Sequence, residues 1–97
     1  MSAYWIALYR EISDPAKVAA YAEIAGPAIK AGGGRFVVRG LPEQVYEAGV
    51  TERCVVIEFD SVEAARATHD SDEYARALEA LGDGAVRDMR IAPGTDY

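Results

Sequence analysis

Short stretches of alternating apolar and polar positions recur along the chain, and each predicts a strand. Residues Ala3 to Arg10 carry Tyr4, Ile6 and Leu8 on one face and Trp5, Ala7 and Tyr9 on the other. Both faces are apolar, which predicts a central strand covered on both sides. Arg35 to Gly40 predicts a second strand, with Phe36 and Val38 opposing Arg35, Val37 and Arg39. After the turn residues Leu41-Pro42, the run Gln44 to Ala48 predicts a short edge strand. Arg53 to Phe59 has the clearest alternation: Val55, Ile57 and Phe59 against Cys54, Val56 and Glu58. Val86 to Ala92 predicts the last strand, with Met89 and Ile91 against Asp88 and Arg90.

Between these runs the apolar spacing lengthens to that of a helix. Ser13-Asp14-Pro15 combines a capping side chain with proline at the first helical position. Val18, Tyr21, Ala22, Ala25 and Ile29 then form one stripe. Gly26-Pro27 predicts a kink or break inside it, because proline donates no backbone hydrogen bond. Gly32-Gly33-Gly34 ends the element. Asp60-Ser61-Val62-Glu63 reads as a capping box opening a helix to about His69. Ser71 caps another, whose stripe is Tyr74, Ala77, Leu78 and Leu81. The order predicts an α+β fold over residues 1–97 as one domain. It is a ferredoxin-like βαββαβ sandwich with an extra short strand and a split second helix. Both helical segments would cover one sheet face. The bare face would carry Trp5, Ala7, Tyr9, Val37, Cys54 and Val56, too apolar for water, which predicts a homodimer.

Composition narrows the function. The chain has 97 residues, 51% of them hydrophobic, which excludes disorder and allows one modest core. Ten basic residues against sixteen acidic ones give a net charge of -6, which argues against nucleic acid and anionic membranes as partners. The single cysteine, Cys54, allows no intramolecular disulfide or Cys-based zinc site, and a buried, inert thiol is expected. A cytoplasmic setting follows from cysteine usage and from an N-terminus unlike a signal peptide. No metal and no cofactor is expected, since one histidine and scattered carboxylates show no ligand spacing. Gly32-Gly33-Gly34 lacks the lysine and strand–helix context of a phosphate loop.

Several segments in register carry a resemblance. They are Tyr4-Trp5-Ile6, Ala25-Gly26-Pro27-Ala28, Gly33-Gly34-Arg35-Phe36, Arg39-Gly40, Val55-Val56-Ile57-Glu58-Phe59, Ser61-Val62-Glu63-Ala64-Ala65 and Ser71-Asp72-Glu73-Tyr74. From Tyr4 to Gly94 the chain resembles the domain of unknown function 1330 family. The resemblance implies a dimeric α/β barrel, two ferredoxin-like subunits packed sheet to sheet. It also implies a superfamily that includes cofactor-free monooxygenases, which is analogy at the level of fold. This chain departs from the family pattern at His69, Asp72 and Leu81, where an aromatic residue, proline and arginine are common.

Six residues are candidates for chemistry. Arg39 and Glu58, expected on the bare face of neighbouring strands, form either an anion-orienting pair with Glu58 as base or a structural ion pair. His69, beside Asp70, is either a general base near neutral pH or a surface residue at a helix C-terminus. Trp5 and Tyr9 either wall a pocket for a flat ligand or fill a dimer core. Tyr74 either donates a hydrogen bond into that pocket or packs a helix. The leading expectation is a homodimer binding, or acting on, a small organic ligand between sheet and helices. A non-catalytic dimerisation or regulatory module and a cofactor-free monooxygenase are the alternatives. A cavity of roughly 300 Å³ or more, reached by Arg39, Glu58 or His69, would favour binding.

Overall fold

A computed structural model describes residues 2–95. The elements are β1 (Ala3–Ile12), α1 (Pro15–Ala31), β2 (Arg35–Gly40), β3 (Cys54–Phe59), α2 (Val62–His69), α3 (Asp72–Leu81) and β4 (Ala85–Pro93). The strands form one antiparallel sheet in the order β2-β3-β1-β4. The helices cover one face, as in a ferredoxin-like sandwich. Among the described residues, no helix is long and apolar enough to cross a membrane.

The helix ends follow local chemistry. Asp14 accepts hydrogen bonds from the Ala16 and Lys17 amides at the start of α1. Ser61, not Asp60, caps α2 by accepting from Ala64, so the capping position lies one residue later than the sequence pattern predicts. Ser71 caps α3 by accepting from Tyr74. Of the kink or break expected at Gly26-Pro27, the break does not occur; α1 runs through it. Pro27 and Glu23 are both exposed, so the carbonyl that proline leaves without a donor lies on the solvent side of the helix. Gly33 takes φ +94°, and Gly34 leaves no room for a side chain. A Cβ there would lie 2.6 Å from Ile29 Cγ2 and 2.8 Å from Phe59 Cζ.

The strand register decides what each face carries. Trp5 lies opposite Ile57 and Ala7 opposite Val55, so Trp5, Ala7 and Tyr9 face the helices. They pack with Phe59, Tyr21, Ala25, Ile29, Ala65, Tyr74 and Leu81 into the core. This corrects the expectation that Trp5 and Tyr9 look out from the bare face. The open face instead carries Tyr4, Ile6 and Leu8 against Glu58, Val56 and Cys54. Burial explains the choice: Trp5 is only 1% exposed, and its large ring belongs on the side where helices can cover it. Cys54 is half-buried on the open face rather than sealed inside.

Two further corrections concern β2 and the loop after it. A bulge between Phe36 and Val38 lets Phe36 pair with Ile57 but Val38 with Val56 and Arg39 with Val55. Phe36 and Arg39 therefore share the helix side, and Arg35 and Val38 share the open side. Residues 44–48 form no strand. Glu47 adopts φ +51°, and the Gly49 amide donates to the Tyr46 carbonyl at 2.8 Å, which curls the segment into a turn.

Candidate functional site

The bulge separates the pair that sequence spacing placed together. Arg39 turns to the helix side, where its guanidinium lies 4.6 Å from the centre of the Phe36 ring. Glu58 stays on the open face. Its partners there are Arg35 at 3.3 Å and the Tyr4 hydroxyl, which donates at 3.4 Å. Arg35 also meets Asp60 at 3.3 Å; hydrogen bonds to Asp60 and then Glu58 hold the guanidinium above its ordinary pKa. Glu58 is thus a member of a surface charge cluster, and it lines none of the five hollows described below.

His69 closes α2 with its Nδ1 atom 3.0 Å from Asp70 Oδ1. Its ring centre lies 5.5 Å from Trp5 and 5.3 Å from Tyr74. Trp5 and His69 border a hollow of about 180 Å³, lined also by Met89, Arg90 and Ile91. Trp5 also meets Tyr74 edge-on at 4.9 Å. This aromatic layer is the solid part of the core.

A polar chain runs through the same core. The Tyr74 and Tyr21 hydroxyls lie 2.7 Å apart, and Arg87 Nη1 donates to Tyr21 at 3.0 Å. The Arg87 guanidinium sits 4.7 Å from the Tyr21 ring centre and 5.6 Å from that of Tyr9. Burial, and then the neighbouring Tyr21, push the Tyr74 phenol up; burial pushes Tyr9 up against the pull of Arg87 and Arg53. Both hydroxyls stay protonated at neutral pH, so they act as donors rather than bases. Burial opposes the Arg87 charge, and the two tyrosine hydroxyls outweigh it.

A larger hollow lies elsewhere. About 460 Å³ opens between the start of α1 and the adjoining ends of β1, β2 and β3, lined by Ile12, Pro15, Val18, Leu41, Glu52 and Arg53, with Gly40 beneath. A hollow of about 320 Å³ under the 41–53 loop shares Glu52 and Arg53 with it, includes Tyr9 and Tyr46, and opens onto Leu8, Cys54 and the Arg10–Asp88 pair of the open face. A slot of only about 40 Å³ beneath α1 shares Val18 and Arg53, and holds Tyr9, Tyr21 and Arg39. Arg53 therefore stands where all three meet. A fourth hollow, about 370 Å³, lies among small side chains of α1 and α2 and carries no cation. The hollows above 300 Å³ are reached by none of Arg39, Glu58 and His69.

Sequence reasoning missed Arg53 and Arg87, although a signal was present for each. Arg53 continues the inward alternation of Val55, Ile57 and Phe59, and Arg87 that of Met89 and Ile91. Among the described residues no cluster of His, Cys, Asp or Glu is placed to hold a metal ion.

Known proteins agree with this geometry at the level of fold. No curated protein sequence matches the chain. A protein of unknown function from Rhodopseudomonas palustris, RPA0582, superimposes with a TM-score of 0.75 at 18% identity, over 99% of this chain and 84% of that one. SnoaB, a cofactor-independent oxygenase from Streptomyces nogalater, gives 0.60 at 13% identity, over 99% and 93%. A dimeric ferredoxin-like protein of unknown function from Bacteroides fragilis NCTC 9343 gives 0.56 at 12%, over 96% of each chain. The profile of the domain of unknown function DUF1330 matches residues 2–95, and with the ferredoxin-like fold in place the chain belongs to that family.

Proposed function

We propose that the chain is a homodimeric binding protein for a small organic molecule, held in the groove between α1 and the β2–β3 end of the sheet. The observation that carries this reading is that two hollows on the helix side of the sheet share Arg53, which a third, opening under the 41–53 loop toward Leu8, Cys54 and Asp88 of the open face, also reaches. Together they offer apolar walls and a few polar groups, the usual make-up of a ligand site. Tyr9 lines the groove's inner end, while Trp5 and Tyr74 support it from the core. Glu58 has a bracing role on the open face, and His69 belongs to its own small hollow.

The dimer rests on the open face. The molecule measures 36 × 35 × 15 Å, the thickness of one sheet and one helix layer. It exposes 6164 Å², about 800 Å² more than a compact monomer of this mass. A standard interface takes about that area from each partner. Ile6, Leu8, Val38 and Val56 form an apolar centre, rimmed by the Arg35 cluster and by Asp88 with Arg10 and Arg90. Similarity to the dimeric Bacteroides fragilis protein supports the same assembly.

The rival reading, a dimerisation module without a ligand, draws support from the tightly packed Trp5–Tyr74 layer. Titration with the neutral apolar dye N-phenyl-1-naphthylamine separates the two. Saturable fluorescence enhancement is expected from the native protein, with affinity falling at least about tenfold in Val18→Trp, which fills the groove. No enhancement from the folded protein would leave the module reading standing. Light scattering at micromolar concentration should give twice the chain mass.

A further inference from the structure

We propose that the groove selects an apolar organic monoanion, with Arg53 as the anion contact and Arg39, at the slot beneath α1, adding positive charge from outside the larger hollows. The assignment rests on the groove being the binding site and adds the chemical class of its occupant.

The argument starts from how the chain distributes its cations. Acidic residues outnumber basic ones sixteen to ten, so carboxylate partners are plentiful. On the open face and around its rim, Arg10, Arg35 and Arg90 each meet a carboxylate, and Lys17 meets Asp83 near the start of α1. On the helix side of the sheet, Arg39, Arg53 and Arg87 meet none among the described residues. Arg39 is open to water, as are Lys30, Arg66 and Arg76, which stand on exposed helix faces and also lack a carboxylate. Arg53 is half-buried, and two of the hollows it lines exceed 300 Å³. A half-desolvated guanidinium without a carboxylate partner, beside open apolar space, fits an anionic group brought by a ligand.

The three cations divide the work. Arg87 is committed to Tyr21 and to the tyrosine ring faces, so it supplies positive potential at the inner end. Tyr9, lying between Arg87 and Arg53 and kept protonated, adds a donor there. Arg39 is anchored on Phe36 and borders the slot beneath α1. Ile12, Val18 and Leu41 supply the apolar wall.

The same lining limits the ligand's charge. Glu52 borders both larger hollows, and the whole chain carries -6. A polyphosphate or dicarboxylate would meet this carboxylate and the overall field, whereas a single carboxylate can lie on Arg53 with its body against Val18 and Leu41. A volume of about 460 Å³ suits a molecule of one or two rings.

Calorimetric titration with 2-naphthoate and its neutral isostere 2-naphthamide, at pH 7, tests the charge preference. The acid is expected to bind at least about tenfold more tightly than the amide. Arg53→Gln should weaken naphthoate about 10- to 100-fold and leave naphthamide within about twofold. Arg39→Gln, at an exposed site that tolerates substitution, should weaken naphthoate by a smaller factor. Raising salt from 20 to 200 mM should weaken naphthoate alone. Equal binding of acid and amide, unaffected by either variant, overturns the anion assignment while the groove reading survives. Binding of neither compound, together with failure of N-phenyl-1-naphthylamine, overturns both.

Discussion

The two faces of the sheet use the same kinds of side chain to different ends. On the inner face, Trp5, Ile57 and Phe59 are sealed under helices, and the one arginine deep among them, Arg87, is held by tyrosine hydroxyls and rings. On the open face, Ile6, Val56 and Val38 are only partly covered, and the arginines at its edges are held by carboxylates. Carboxylates near water keep much of their hydration, so pairing there adds little stability. A carboxylate inside would have to shed that hydration, whereas a phenol presents a donor, an acceptor and a π-face without adding charge. The inner face is thereby sealed within one chain, while the open face leaves apolar side chains in reach of water.

Substitutions on the two faces should sharpen that contrast. Trp5→Ala is expected to cost about 3–5 kcal/mol in denaturant unfolding, because it empties the centre of the aromatic layer. An effect below about 1 kcal/mol would break the distinction between the faces. Val56→Asp, on the open face, should leave the monomer folded by circular dichroism but weaken self-association about 100-fold, roughly 3 kcal/mol, since each partner would bury an unpaired charge. Retention of the wild-type mass at low concentration in light scattering would count against this face as the interface.

Tyr74→Phe should cost about 1 kcal/mol at neutral pH by removing one buried hydrogen bond. It should also change the alkaline limb of stability. The Tyr9 and Tyr74 phenols are pushed up in the folded chain, so the stability they confer is fully present below about pH 10. It is lost as pH rises beyond that value. Thermal melts from pH 8 to 11 should show a shallower decline in Tyr74→Phe. Glu58→Gln should have the smallest effect, about 0–1 kcal/mol, because its arginine partner is half exposed. N-phenyl-1-naphthylamine affinity should be unchanged in that variant; a large loss would return Glu58 to the binding site.

Much of the fold could be read in the chain because the signals were local. The caps at Asp14 and Ser71, the Tyr74-Ala77-Leu81 stripe and the inward set Val55-Ile57-Phe59 needed no tertiary knowledge. β1 was ambiguous for a physical reason. Tyr4-Ile6-Leu8 and Trp5-Ala7-Tyr9 are both apolar, so alternation alone cannot say which side meets the helices. The site was less legible. Alternation alone puts Arg39 on the wrong side, because a bulge has no reliable mark in composition, and makes Arg39–Glu58 a false pair. Arg53 and Arg87 were readable from spacing, but a charged residue continuing an inward apolar series is easily taken for the end of the strand.

The bulge in β2 has a consequence for how this strand can change. It resets the phase of a six-residue segment halfway along, so the two ends answer to different surroundings. Arg35 is constrained by whatever lies against the outer surface, and Arg39 by whatever lies beneath α1. Selection for a new occupant on one side can therefore act on one end of the strand without disturbing the other. Flattening the bulge at unchanged length would couple them again, sending Arg39 outward and Val38 inward in a single step, whereas deleting the extra residue would leave both on their present sides.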